Sequence, residues 1–418
     1  MNTKFFRVVT LLFSTLLVAA LMISCDSSID STDSSASINS SKGISYAIGY
    51  PSDFSVPNDE VHGGKIRGFG GDKSKSKQAH QSTISNSGKR PVILLHGNGG
   101  SADSDEWGWG RTVDWLLAKG YSKEHIWAPS YLGYDGTDAN HGMMYADFPN
   151  IYSNNIKDIR EFIDAVVAYT GSDRVDIVSH SSGVTLARLY IVGYEYTGQK
   201  TKGSAYNFFP SCYNPSEMKF DWNLNRVDNV GTAIFMAGDH EGFDSSESMQ
   251  CRCEFAETSH SEGYLHKELN RVWNENYDTI SQQIVTISIT AKGDWVDNLG
   301  DKQNSYLGHQ SALENADENK IENMPSRIED PWNSSSSSSD IAWHKYITNY
   351  EPTFDYYFEY LNQSKGPKII IDPSNGHVYA GTEVSITVEN ASSAYYTINN
   401  GDKVSFSNSA TITVTTCP

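Results

Sequence analysis

The sequence predicts an α/β fold, a mostly parallel sheet covered by helices, with a small all-β sandwich at the C-terminus. Three observations carry this prediction. Short, unbroken apolar runs recur between residues 91 and 291, as in strands buried on both faces. Stretches with the one-face spacing of helices lie between them. Beyond the polar linker Gln363-Ser364-Lys365-Gly366-Pro367, every apolar run reads as a strand and none as a helix.

The first buried run, Val92-Ile93-Leu94-Leu95, ends in the glycine loop His96-Gly97-Asn98-Gly99-Gly100. Apolar residues at 156, 159, 162, 163, 166 and 167 mark one face of a helix over 155–170, closed by Gly171. Val175-Asp176-Ile177-Val178 is a second strand, and residues 184 to about 194 form a second helix. Further strands are expected at 232–237 and 284–291. Pro352 suits the first turn of a last helix reaching about Leu361. Residues 203–225 and 239–265, rich in aromatics, Asn, Ser and Cys, read as insertions, Ser334 to Ser339 is a low-complexity loop, and 43–90 yields few signals. Tail strands are expected near 369–371, 384–388, 395–398 and 410–415. The expected organisation is a large α/β domain over 43–362, a linker over 363–367 and a β-sandwich over 368–418.

The 418 residues, 38% of them hydrophobic, can bury a sizeable core. A formal net charge of −19 repels a phosphate polyanion and excludes nucleic acid as a general partner. Lys4 and Arg7 precede a mostly apolar stretch over 8–23, so residues 1–24 read as a signal peptide of an exported protein. Leu21-Met22-Ile23-Ser24-Cys25 resembles the bacterial lipobox, which implies a lipid anchor on Cys25; cleavage and secretion is the alternative. Ser/Asp-rich residues 25–42 would then be a flexible tether. Later cysteines at Cys212, Cys251, Cys253 and Cys417 suggest disulfides in an oxidising compartment. Cys212 with Cys251 or Cys253 is favoured, since all three share the inserted region; Cys-Arg-Cys lacks the second pair a zinc site needs. No sequence feature sets an oligomeric state.

The strongest chemical signal is Val178-Ser179-His180-Ser181-Ser182-Gly183, between an expected strand and an expected helix. A serine in a strained strand-to-helix turn needs small residues two before and two after it, and Ser179 and Gly183 meet that demand around Ser181. Centring on Ser182 would place His180 and Val184 at the small positions, which sterics exclude. Acyl transfer also needs backbone N–H donors where the oxyanion develops, and Ser182 and Asn98 of the upstream glycine loop are the candidates. An orienting acid should follow a late strand. Asp294 in Lys292-Gly293-Asp294-Trp295-Val296-Asp297 is nearest the strand end, with Asp297 as its rival. The base should precede the final helix, where His344 fits; His309 is the alternative. No motif calls for a metal or organic cofactor.

These motifs together resemble the lipase class 2 group of α/β hydrolases, and more closely the bacterial extracellular poly(3-hydroxybutyrate) depolymerases related to them. The resemblance covers roughly residues 88–362; it rests on residues 91–100 and 169–183 and continues through Phe235-Met236-Ala237-Gly238 with Gly242, Ala291-Lys292-Gly293-Asp294-Trp295-Val296, and His344 before the last helix. It implies an α/β-hydrolase fold in which Ser181 is the nucleophile, Asp294 the acid and His344 the base. The N–H groups of Asn98 and Ser182 would form the oxyanion hole. The chain departs from those lipases at Ser179 and Ser182, where Ala or Gly and Met are usual, and at Asp239-His240-Glu241. The tail is similar to the small β-sandwich of chitobiases and some amylases, through Ser393-Ala394-Tyr395-Tyr396-Thr397-Ile398-Asn399-Asn400-Gly401, which implies a polysaccharide or polymer surface as partner. The expected activity is therefore serine ester hydrolysis on a lipid or polyester. A carbohydrate esterase acting on an acylated polysaccharide is the alternative, and a non-catalytic adhesin on a hydrolase scaffold the reading from another class.

Overall fold

The computed structural model describes residues 48–60, 64–97, 100–103, 108–131, 151–197, 217–238, 240, 264–291, 313, 315–323, 344, 346–365, 368–372, 381–389, 394–396, 404–407 and 409–413. The expected signal peptide, tether and disulfides lie outside these residues.

The first elements are β1 (Arg67–Gly70) and α1 (Lys77–Ser87), both within the stretch where the sequence is least informative. There follow β2 (Val92–Leu95), α2 (Gly110–Ala118), β3 (Ile126–Ser130), α3 (Ile151–Thr170), β4 (Val175–His180) and α4 (Ser182–Val192). The expected second helix stops two residues early. Tyr194 instead opens β5 (Tyr194–Tyr196), which pairs antiparallel with β6 (Met218–Phe220), so the end of the 203–225 insertion is a hairpin strand. Next come β7 (Val230–Met236), α5 (Tyr264–Glu275), α6 (Tyr277–Gln283), β8 (Val285–Ala291), β9 (Glu318–Glu322) and α7 (Glu351–Phe358). The tail holds β10 (Lys368–Asp372), β11 (Glu383–Glu389), β12 (Ala394–Tyr396), β13 (Val404–Phe406) and β14 (Ser409–Thr413). They form an antiparallel three-stranded sheet, β10-β11-β14, and a two-stranded one, β12-β13.

The main sheet has seven strands in the order β1-β3-β2-β4-β7-β8-β9. All neighbours run parallel except β1, which pairs antiparallel with β3 at one edge. Register carries Leu94 opposite Val178 and Val178 opposite Ile234, so the carboxyl ends of the central strands open on one edge of the sheet. In open α/β sheets that edge is where ligands bind.

Both faces of the sheet are covered. Ile93 and Leu95 join a core with Phe162, Val166 and Leu189 of the helices on one side. Val92 and Leu94 join a second core with Val113, Leu116 and Phe354 on the other. This alternation explains why the run at 92–95 is apolar at every position: each face meets helices rather than water. Burying each such side chain stabilises the fold by about 1.5–3 kcal/mol.

At the opposite edge, Asp176 on β4 is fully buried and completely engaged. Its Oδ1 accepts from Arg90 Nε at 2.7 Å and from the Thr232 amide at 3.0 Å, and its Oδ2 accepts from the Asn362 amide at 2.6 Å. Asn362 Oδ1 in turn accepts from the Arg90 amide at 2.9 Å. The carboxylate thereby ties the segment after α7 to the start of β4 and β7. Among the described residues no helix is long and apolar enough to cross a membrane.

Candidate active site

Ser181 follows β4 directly and caps α4 with φ 52° and ψ −128°, a conformation that an L-residue seldom adopts. Such strain costs on the order of 1–3 kcal/mol and persists only where the surroundings enforce it. The enforcing contacts are visible. The Ser181 amide donates to the Met236 carbonyl at 3.0 Å, and the Val184 amide donates to the Ser181 carbonyl at 2.9 Å. Ser181 is partly exposed, and among the described residues no hydrogen bond engages its hydroxyl. A second strained residue, Ala237 with φ 47°, ends the neighbouring strand β7 on the same edge.

The small-residue rule around Ser181 has a direct steric cause. A Cβ on Gly183 would lie 2.7 Å from the Leu95 carbonyl oxygen and 2.6 Å from that of His96. A Cβ on Gly97 would lie 2.8 Å from Ser181 Cβ, so the Gly97 backbone packs directly against the serine. On the other side of Ser181, Ser179 is fully buried, and its hydroxyl donates to the Ile234 carbonyl at 3.0 Å. That bond explains how serine replaces the usual Gly or Ala here: the polar atom is satisfied by a strand that is already adjacent. Ser182 begins α4, where the first N–H groups have no partner inside the helix. Its own hydroxyl is buried and has no hydrogen-bond partner among the described residues.

The start of the glycine loop is held by aromatic stacking and by hydrogen bonds. The His96 ring stacks on Tyr131 with centroids 4.0 Å apart and planes 16° apart. The Tyr131 amide donates to His96 Nε2 at 3.2 Å, and the Tyr131 hydroxyl donates to the His96 carbonyl. His96 Nδ1 lies 2.8 Å from the Gly97 carbonyl, which only accepts, so the proton sits on Nδ1 and the ring is neutral. Burial lowers the His96 pKa from 6.5 to about 4, in keeping with that tautomer.

His344 is buried and stands beside the serine turn. The side chain of His180, the residue before Ser181, reaches the main-chain carbonyl of His344 through Nε2 at 2.8 Å, and the two imidazole rings are 4.9 Å apart. A second tie lies four residues further on, where the Thr112 hydroxyl of α2 donates to the Thr348 carbonyl at 3.2 Å. The two expected site residues on opposite halves of the chain, Ser181 and His344, therefore share one neighbour, His180. Asn98, Asp294 and the alternatives Asp297 and His309 lie outside the described residues. Sequence reasoning treated His180 only as the filler between Ser179 and Ser181, and it overlooked Tyr131. The signal for either is weak, because both act through main-chain atoms distant in sequence. No group of three or more His, Cys, Asp or Glu side chains suited to a metal ion occurs among the described residues.

A family model described as Lipase (class 2) matches residues 89–206, a span that includes the glycine loop, β4 and the serine turn. Similar solved structures include esterase 2 of Thermogutta terrifontis, at 12% identity over 74% of this chain and 94% of that one, with a TM-score of 0.36. A gene product of Listeria innocua matches at 13% identity over 65% of this chain and 94% of that one, with a TM-score of 0.36. Lipase B of Aspergillus fumigatus matches at 14% identity over 65% of this chain and 55% of that one, with a TM-score of 0.32. The mostly parallel sheet, its strand order and the strained serine between β4 and α4 give the elements from β1 to α7 an α/β-hydrolase fold.

Proposed function

We propose that the chain is an exported serine ester hydrolase of the lipase and polyesterase type. The observation that carries this reading is the strained Ser181, partly exposed at the carboxyl edge of the sheet with its hydroxyl unengaged among the described residues and the Gly97 backbone packed against it. The class 2 lipase match over 89–206 supports the same chemistry.

In this mechanism Ser181 attacks the ester carbonyl while His344 takes its proton, and Asp294 holds the imidazole in the required tautomer. The developing oxyanion lies between the N–H groups of Asn98 and Ser182. Collapse of the tetrahedral intermediate passes the proton from His344 to the leaving alkoxide and leaves an acyl group on Ser181. Water, deprotonated by His344, then releases the acid and restores the hydroxyl. The substrate is a hydrophobic ester, either a short-chain triglyceride or a polyester such as poly(3-hydroxybutyrate). The protein works outside the cytoplasm, secreted or anchored through Cys25, and residues 368–418 hold it to a polymer or polysaccharide surface.

Acid release from amorphous poly(3-hydroxybutyrate) and from emulsified tributyrin, for the wild type and Ser181→Ala, tests the proposal. Loss of about 10³-fold or more in the variant is expected. Polymer cleavage would identify a polyester depolymerase and tributyrin cleavage alone a lipase. Activity on neither, with release of acetate from an acylated polysaccharide, would favour a carbohydrate esterase.

A further inference from the structure

We infer that His180 is a positioning residue that fixes the base His344 relative to the nucleophile Ser181. The inference rests on the serine-hydrolase reading above and deepens it. His180 is the last residue of β4, where its backbone is in register with Met236 of β7, so its ring springs from a rigid central strand. Its Nε2 lies 2.8 Å from the His344 carbonyl oxygen, across 164 positions of sequence. A carbonyl only accepts, so Nε2 carries the proton and His180 donates. Burial, with His344 and His96 close by, holds the His180 pKa well below the ordinary histidine range, so the ring stays neutral and keeps that tautomer.

The consequence is geometric. Ser181 and His344 reach each other through a short rigid chain: one peptide bond from Ser181 to His180, the His180 ring, and one hydrogen bond to the backbone that carries the base. General-base catalysis tolerates little error in the distance between nucleophile and base, and a displacement of about 1 Å can cost about 100-fold in rate. Gly97 belongs to the same arrangement, since a Cβ there would sit 3.0 Å from His180 Nδ1 as well as 2.8 Å from Ser181 Cβ. One histidine side chain is thus packed between the loop beside the oxyanion, the nucleophile and the base.

The test compares His180→Gln with His180→Met. The two side chains are close in shape, but only Gln can donate from the position of Nε2. Both variants and Ser181→Ala are assayed for kcat and KM on p-nitrophenyl butyrate, with thermal unfolding followed in parallel. We expect His180→Met to lose about 10- to 100-fold in kcat with KM within about threefold of wild type, and His180→Gln to recover most of that loss. Equal kcat for Gln and Met, whether both are low or both near wild type, overturns the inference, because a packing role does not distinguish them. Should His180→Met fail to fold, His180→Leu, which also cannot donate, takes its place in the same comparison with His180→Gln, and the same outcomes uphold or overturn the inference. If Ser181→Ala keeps its activity, the serine-hydrolase reading itself fails, a result distinct from failure of the His180 role alone.

Discussion

The two ends of β4 differ in what they do with polar groups. At its start, Asp176 has both carboxylate oxygens occupied by Arg90, Thr232 and Asn362, and its backbone stays out of the positive-φ region although the register with β7 shifts there. At its finish, Ser181 sits in a strained turn with a hydroxyl that is unengaged among the described residues, close to His96 and His180, which burial holds neutral. A buried polar residue is therefore not in itself a sign of chemistry. The sign is a reactive atom left uncommitted where the backbone pays in strain to present it.

The comparison breaks most visibly at Asp176. Asp176→Ala leaves the Arg90 guanidinium, which is only 13% exposed, without its carboxylate. Chemical denaturation should show a stability loss of about 3–5 kcal/mol, with kcat per folded molecule unchanged. A drop in kcat of the folded variant would mean that the two ends are coupled. Gly97→Ala should do the reverse. Its Cβ would crowd Ser181 at 2.8 Å, and kcat should fall about 100-fold, near 2.7 kcal/mol of barrier, with little change in melting temperature.

Acid should act on the chemical end through its histidines. His96 has a folded pKa of about 4 against 6.5 for the ordinary group, so the unfolded chain binds a proton at pH values where the fold does not. Its contribution is intact above about pH 6.5 and is lost as pH falls toward 4. At pH 5 the loss from His96 alone is about 2 kcal/mol. Burial also lowers the pKa of His180 and of His240, so the full protein should lose more than that. Denaturation midpoints measured between pH 7 and 5 check the sign; a midpoint that rises on acidification contradicts it. The smallest effect is expected for Tyr131→Phe, which removes the hydroxyl bond to the His96 carbonyl. About 1 kcal/mol of stability and a few-fold loss of kcat should follow.

The central strands β2, β4, β7 and β8 and the turn at Ser181 were legible because each face of those strands meets helices and each small position has a steric cause. Elements at the margins were not. β1 is Arg67-Gly68-Phe69-Gly70, with two glycines and one large apolar side chain, and β9 is a polar edge strand, Glu318–Glu322. α1 buries only His80 and Ile84. It is held by its Ser76 cap and by the Asp72 amide donating to His80 Nε2 at 2.9 Å, contacts with no apolar periodicity to betray them. The pairing of His180 with His344 escaped for a related reason: its acceptor is a main-chain carbonyl, and no residue type signals that.

The central claim is that Ser181 is the one activated hydroxyl of this fold. Treating the full-length protein with a fluorophosphonate and locating the adduct by peptide mass spectrometry measures this directly. The account expects a single adduct on Ser181 and its absence in Ser181→Ala. An adduct on another residue, or labelling undiminished in the variant, would contradict it.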